Sequence, residues 1–168
     1  MLRSSTASRD AEFTDFVVSA SPSLGRTAYL LTGDRELARD LVQEALVKTY
    51  LAWRRVRRDE SLSYARRVLV NLNIDRWRRR PPVPVEWVDQ ASSDGQSVVD
   101  DRDEIVRALA QLPAQQRRVI VLRYLDDLSE ATCAEQLGIS VGAVKSACSR
   151  GLATLRESYL PAKEGMTK

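Results

Sequence analysis

The chain has 168 residues, of which 43% are hydrophobic and 29% charged. That is room for one large domain or two small ones, and the balance is that of a folded chain rather than a disordered one. Histidine is absent and there are two cysteines, Cys133 and Cys148, fifteen positions apart. The commonest general base and metal ligand is therefore missing, and two thiols make neither a disulfide framework nor a zinc site. No catalytic residue, metal or cofactor is expected.

No window approaches the roughly 18 uncharged apolar residues that a membrane span needs. The N-terminal MLRSSTASRD lacks the apolar centre of a secretory signal and reads as a flexible arm over residues 1–10. The cytoplasm is the default location. The net charge of +3 is segregated: +1 over residues 1–10, +5 over 11–80, −6 over 81–104 and +3 over 105–168. Two basic blocks flank an acidic one, and 22 of the 26 basic residues are arginine, the residue suited to forked contacts with phosphates and bases.

In chain order, Glu12 to Leu31 carries Phe13, Phe16, Val17, Ala20, Leu24, Ala28 and Leu31 near helical period, with Pro22 expected to break or kink it. Gly33–Asp34 is a stop followed by a cap. From Asp34 to Trp53, Leu37, Ala38, Leu41, Ala45, Thr49 and Trp53 form an apolar stripe, and Asp40, Glu44 and Lys48 a polar one. The polar stripe alone reads as a solvated face. RRVRRDES over Arg54–Ser61 is a basic loop ending in a cap.

Ser61 to Arg80 reads as a helix with Ala65, Val68, Leu69, Leu72 and Arg76 toward the core, and Arg67, Asn71, Asp75 and Arg79 on another face. Arginines interleaved with Tyr64 and Trp77 suit single-stranded nucleic acid, because guanidinium groups follow phosphates while aromatic faces accept unstacked bases. Core aromatics with solubilising arginines would give the same pattern. Residues 81–101, containing PPVPVEW and an acidic run, read as a linker. Beyond it, Asp103–Leu112 and Ala114–Tyr124 read as short helices divided by Pro113, which suits a first helical position. Almost nothing reads as strand, so the chain is all-α.

LSEATCAEQLGISVGAVKSACSRGLATLR, Leu128 to Arg156, holds two amphipathic segments that meet at Gly138. Ser129 and Ser140 are N-cap candidates, and Gly138 suits a left-handed helix stop. Val141, Val144, Cys148, Leu152 and Leu155 form the inner face of the second segment, and Lys145, Ser146, Ser149 and Arg150 the outer one. The small Ala134, the turn glycine and the aliphatic Ile139 and Val144 fit a helix-turn-helix, whose second helix enters the major groove. A plain helical hairpin would share this spacing. PAKEGMTK is a loose end of a tail over residues 159–168.

Asp40–Trp53, Tyr64–Arg80 and Leu112–Arg156 together resemble the extracytoplasmic-function (group 4) members of the bacterial sigma-70 family, most of all actinobacterial SigE-type members. The resemblance implies two small helical domains: sigma domain 2 over residues 11–80 and sigma domain 4 over residues 102–158. It also implies no enzymatic activity. The partners implied are core RNA polymerase, through its β′ clamp helices and β flap, promoter DNA, and an anti-sigma protein as a candidate regulator, with no membrane.

In domain 2, Asp40, Leu41, Gln43, Glu44 and Lys48 are implied to bind polymerase. The family's RVxxNLxxDxxR segment corresponds to Arg67, Asn71, Asp75 and Arg78, and Tyr64, Arg66, Arg67, Asn71, Asn73, Asp75, Arg76, Arg78 and Arg79 are implied to engage the −10 element. Ser140, Val141, Gly142, Ala143, Lys145, Ser146, Ser149 and Arg150 are implied to read the −35 element. Cys133 and Cys148 are read as buried packing residues. The competing reading is a stand-alone helix-turn-helix regulator that binds duplex DNA without polymerase.

Overall fold

A computed structural model describes residues 2–79 and 98–164, with side chains over 6–79 and 102–158. Among the described residues the protein is all-α, with no strand. The first module is α1 (Leu2–Thr32), α2 (Arg35–Ala52) and α3 (Ser61–Arg79). The second is α4 (Val98–Ala110), α5 (Ala114–Ile120), a π-helical turn over Val121–Leu125, α6 (Glu130–Leu137) and α7 (Val141–Glu164). Arg80 and most of the expected linker lie outside the described residues. The last acidic positions of that linker, Asp100 and Asp101, already belong to α4.

α1 differs from expectation twice. Residues 2–10, read as a loose arm, are helical, and both Arg9 and Asp10 hydrogen-bond to the Tyr50 hydroxyl at 2.7 Å. Pro22 lies inside the helix without ending it. The carbonyl its missing N–H leaves over belongs to Val18, on the helix's open side, where the Val18 side chain is 73% exposed. The Ser19 and Ser21 hydroxyls donate to the carbonyls of Phe16 and Val17, binding the turn before the proline.

Gly33, at φ 70°, stops α1, and the Asp34 carboxylate caps α2 by accepting from the Glu36 and Leu37 N–H groups at 2.8 and 3.0 Å. The apolar stripe of α2 is buried as its spacing predicts, at Ala38, Leu41, Ala45 and Thr49. Trp53 is 1% exposed, with the rings of Phe13 and Phe16 each 5.0 Å from its own and Arg58 over its face at 4.1 Å. Arg58 also donates to the carbonyls of Trp53 and Val56, so the basic loop is tied down by its own arginine. Ser61 does not cap α3; its hydroxyl donates to the Arg58 carbonyl instead.

In the second module Pro113 is the N-cap of α5, one position before the first helical residue. The π turn after it has no counterpart in the sequence reading. It keeps Val121 and Leu122 buried beside Val119 and Ile120. α7 continues to Glu164, beyond the Ser158 limit expected for this domain. α5 and α6 pack on α7, and Gly151 lets α7 approach α5, since a Cβ there would lie 3.1 Å from Ile120 Cγ1. The two modules share one hydrophobic core, with α1 packed on α4 and the π turn and α3 packed on α6.

Candidate nucleic-acid interface

The helix-turn-helix forms as its sequence dictates. Ser129 Oγ accepts from the Thr132 N–H at 3.0 Å, and Gly138 stops α6 at φ 64°. Ser140 Oγ then accepts from the Ala143 N–H at 3.0 Å and starts α7. Val144 and Cys148 turn inward, whereas Val141, expected on that inner face, is 40% exposed. The outward face carries Ser140, Val141, Gly142, Lys145, Ser146, Ser149 and Arg150, with Ala143 half-buried at its edge. Lys145 lies 3.8 Å from Glu130. A contiguous exposed face of small and basic side chains at a helix N-terminus lets the backbone approach a duplex closely.

Cys133 and Cys148 are both free and buried. Burial pushes the Cys133 thiol up to about 11 and raises Cys148 as well. Such thiols are poor nucleophiles, which fits packing residues rather than a redox pair.

On α3 the expected nucleic-acid residues differ in exposure, with Tyr64, Arg67, Asn73 and Arg76 half-buried. Asn71, Asp75, Arg78 and Arg79 are exposed, and Trp77 presents 57% of its surface. Arg66 is buried, contrary to its expected place on an open phosphate-binding face. Its Nε lies 3.3 Å from Asp126 Oδ2, off the hydrogen-bond line, so the contact is an ion pair. Asp126 is 1% exposed at its side chain and accepts from Thr27 Oγ1 at 2.9 Å to each oxygen. Burial raises its carboxyl group's pKa, against the opposing pull of Arg66 and Thr27.

Three more contacts join α3 to the second module. Arg67 pairs with Glu135, Arg118 Nε donates to Asn73 Oδ1 at 3.2 Å, and Gln136 Nε2 donates to Ser63 Oγ at 3.4 Å. Arg117 forms a staple between modules, donating to the carbonyls of Leu109, Ala110 and Leu112 and also to that of Leu31.

On α2, Asp40, Gln43, Glu44 and Lys48 lie along the solvent side. Leu41 is 1% exposed. Its expected role in direct contact with a partner is thereby corrected: at this helical position it faces α1 and α3. Two apolar residues that the stripe omitted, Val47 at 54% and Leu51 at 78% exposure, extend the same surface.

The family model for Sigma-70 region 2 matches residues 16–81, and that for Sigma-70, region 4 matches residues 102–155. RNA polymerase sigma-E factor of Streptomyces avermitilis is 39% identical over 151 residues, covering 87% of this chain and 84% of that protein. The chain belongs to the sigma-70 family, in its extracytoplasmic-function group. The ECF RNA polymerase sigma factor SigW of Bacillus subtilis is 30% identical, covering 86% of this chain and 87% of that protein. Among solved structures, the sigma factor RpoE in complex with the anti-sigma factor NepR from Bartonella quintana matches with TM-score 0.67 and 23% identity, over 86% of this chain and 94% of that one. CnrH in complex with the cytosolic domain of CnrY matches with TM-score 0.66 and 23% identity, over 89% and 88%. These two share the fold.

This sigma factor therefore works with RNA polymerase core enzyme to direct promoter-specific initiation, rather than as a stand-alone regulator. Among its described residues no helix is long and apolar enough to cross a membrane. The sequence alone missed Asp126, Thr27 and Glu135, which bind the modules together. Asp126 and Glu135 sit in helical surroundings with nothing to mark partners as distant as Thr27, Arg66 and Arg67. A groove of about 1200 Å³ between α1, α2 and α4 was equally unmarked. Leu30, Val42, Leu46 and Ile105 are among its apolar walls. Arg26, Arg35, Arg39 and Arg102 line it with no carboxylate among the lining residues.

Proposed function

We propose that residues 11–80 form a domain that holds the polymerase and engages the −10 element, and residues 102–158 a domain that reads the −35 element, joined by the 81–101 linker. Asp40, Gln43, Glu44 and Lys48 contact the β′ clamp helices, with Val47 and Leu51 as apolar contacts beside them. Tyr64, Arg67, Asn71, Asn73, Asp75, Arg76, Arg78 and Arg79 engage the −10 strand. Arg66 joins them once its partner on the second module is withdrawn. Arginines neutralise phosphates there while Trp77 offers a stacking face for an unpaired base, which offsets the few kcal/mol that extruding a base costs. Ser140, Val141, Gly142, Ala143, Lys145, Ser146, Ser149 and Arg150 read the −35 duplex, and the same domain meets the β flap.

The observation that carries this reading is the exposed face of α7, which presents small and basic residues from the first turn of a capped recognition helix. The protein acts in the cytoplasm, where its template is, and performs no chemistry of its own. An anti-sigma protein is the candidate regulator. The arginine-lined apolar groove favours it, because an amphipathic helix with an acidic edge would be complementary in both shape and charge.

The test is binding to purified core polymerase. The wild type should form a stable complex that Asp40→Arg with Glu44→Arg weakens at least tenfold, and Lys145→Ala with Arg150→Ala should leave that complex intact while weakening −35 recognition. Unchanged core affinity in the first variant would remove α2 from the docking surface.

A further inference from the structure

We infer that this sigma factor binds a free nucleoside phosphate in the cavity between the C-terminal end of α3 and the α1–α2 corner. The base lies against Trp77 and the phosphates meet Arg79 and Arg117. The cavity measures about 360 Å³, and Leu31, Leu37 and Leu41 give it an apolar wall. Small-ligand pockets run from roughly 300 to 1,000 Å³, and the small end of that range suits a mononucleotide rather than a dinucleotide.

The first observation is positive charge without counter-charge. Arg76, Arg79 and Arg117 line the cavity and no carboxylate does. Arg76 is already met by Glu44 at 3.2 Å. Among the described residues Arg79 and Arg117 have no carboxylate partner. Arg79 is exposed, and Arg117 donates to the backbone carbonyls of Leu31, Leu109, Ala110 and Leu112. Those carbonyls fix the Arg117 guanidinium without neutralising it, and burial lowers its pKa. Arg118 beside it is lowered by burial first, then by the charges of Arg117 and Arg78. A half-buried cation that is held in place and repelled by its neighbours is stabilised by an anion, and a phosphate accepts from guanidinium groups in forked pairs.

The second observation is Trp77, which lines the cavity yet is 57% exposed. An open aromatic face beside guanidinium groups accepts a base by stacking. Asn73, also in the wall, accepts from Arg118 at its Oδ1, which leaves its amide N–H groups as donors to a base edge. Inorganic phosphate would use the arginines alone. The aromatic face, the amide and the fixed cations together select a nucleotide.

Trp77 and Arg79 also belong to the proposed −10 face, so a bound nucleotide excludes the strand from that end of α3. This consequence rests on the proposed role of α3; the site itself does not.

The test is calorimetric titration of the full chain with ATP, adenosine and tripolyphosphate, without polymerase or promoter. ATP should bind about tenfold or more tightly than either of the other two. Trp77→Leu should weaken ATP binding about tenfold, and Trp77→Phe should restore most of it. Arg79→Gln should weaken ATP and leave adenosine unchanged. Arg55→Gln, at an exposed arginine of the loop between α2 and α3, should change nothing. Circular dichroism checks that each variant keeps its helix content. ATP that binds no better than tripolyphosphate, or equally well to Trp77→Leu, would reduce the cavity to a general counter-ion surface and overturn the inference. So would binding of an oligothymidylate strand that needs Trp77 where ATP binding does not, since that assigns this wall to DNA alone. Core enzyme enters none of these readings, so a failure here is distinct from a failure of core binding.

Discussion

Glu44 on α2 accepts a hydrogen bond from Arg76 on α3 at 3.2 Å while lying 3.9 Å from Lys48 on its own helix. One carboxylate thus bridges the surface assigned to polymerase and the surface assigned to DNA. Reversing its charge acts on both, since Arg76 loses a partner and the α2 stripe loses an anion. Asp40→Arg with Glu44→Arg should weaken core binding by at least tenfold, the equivalent of ~1.4 kcal/mol, because like charges placed across an interface repel, which costs more than removing an attraction. Titration of labelled protein with core enzyme measures it, and unaltered thermal unfolding would establish that the loss lies in docking.

Leu41 lies between the proposed docking residues in sequence but is buried in the core. Leu41→Ala should therefore cost about 2–5 kcal/mol of stability through the cavity it leaves. Leu51→Ala, at a position 78% exposed, should leave unfolding unchanged within about 0.5 kcal/mol and act on core affinity instead. Denaturant unfolding of the two variants separates a packing role from a binding role.

The two thiols give a pH signature with a definite sign. The native Cys133 thiol stays protonated up to about 11, whereas in the unfolded chain it ionises near its ordinary value of 9.0. Its contribution is complete below the lower value and is lost as the pH rises through the window between them, because the unfolded state gains the ionised form. Stability should fall with pH across that window, and Cys133→Ala should make the fall shallower. Alkylation of native protein near neutral pH should be slow at both cysteines and become fast on unfolding; prompt labelling of either would contradict the buried, raised thiols.

Lys145 and Arg150 lie on the exposed face of α7, and in the proposed function they meet phosphates. In the holoenzyme, removing one phosphate-binding cation should reduce the slope of log affinity against log salt by about 0.9. The Lys145→Ala and Arg150→Ala pair should flatten that slope by nearly two such steps. An unchanged slope would place both side chains away from the backbone.

Much of this was legible because local chemistry decided it. The Asp34, Ser129 and Ser140 caps, the Gly33 and Gly138 stops, and the α2 stripe each follow from residue type and spacing, and the structure has them where the pattern required. What was not legible was non-local. Pro22 is absorbed because the carbonyl it leaves over faces the open side of α1, which periodicity does not record. Arg66 reads as a surface arginine until Asp126, sixty positions later, is brought against it. The exposed residues of α3 were thus legible in outline, and the contacts of Arg66 and Arg67 with the second module were not.

That this chain confers promoter choice on RNA polymerase is tested most directly by run-off transcription. Purified core enzyme would be assayed with and without the protein on sheared genomic DNA from its source. The expected result is new transcripts whose start sites share upstream −35 and −10 elements, lost with the α2 charge reversals. No new transcripts, together with no measurable binding to core enzyme, would contradict it.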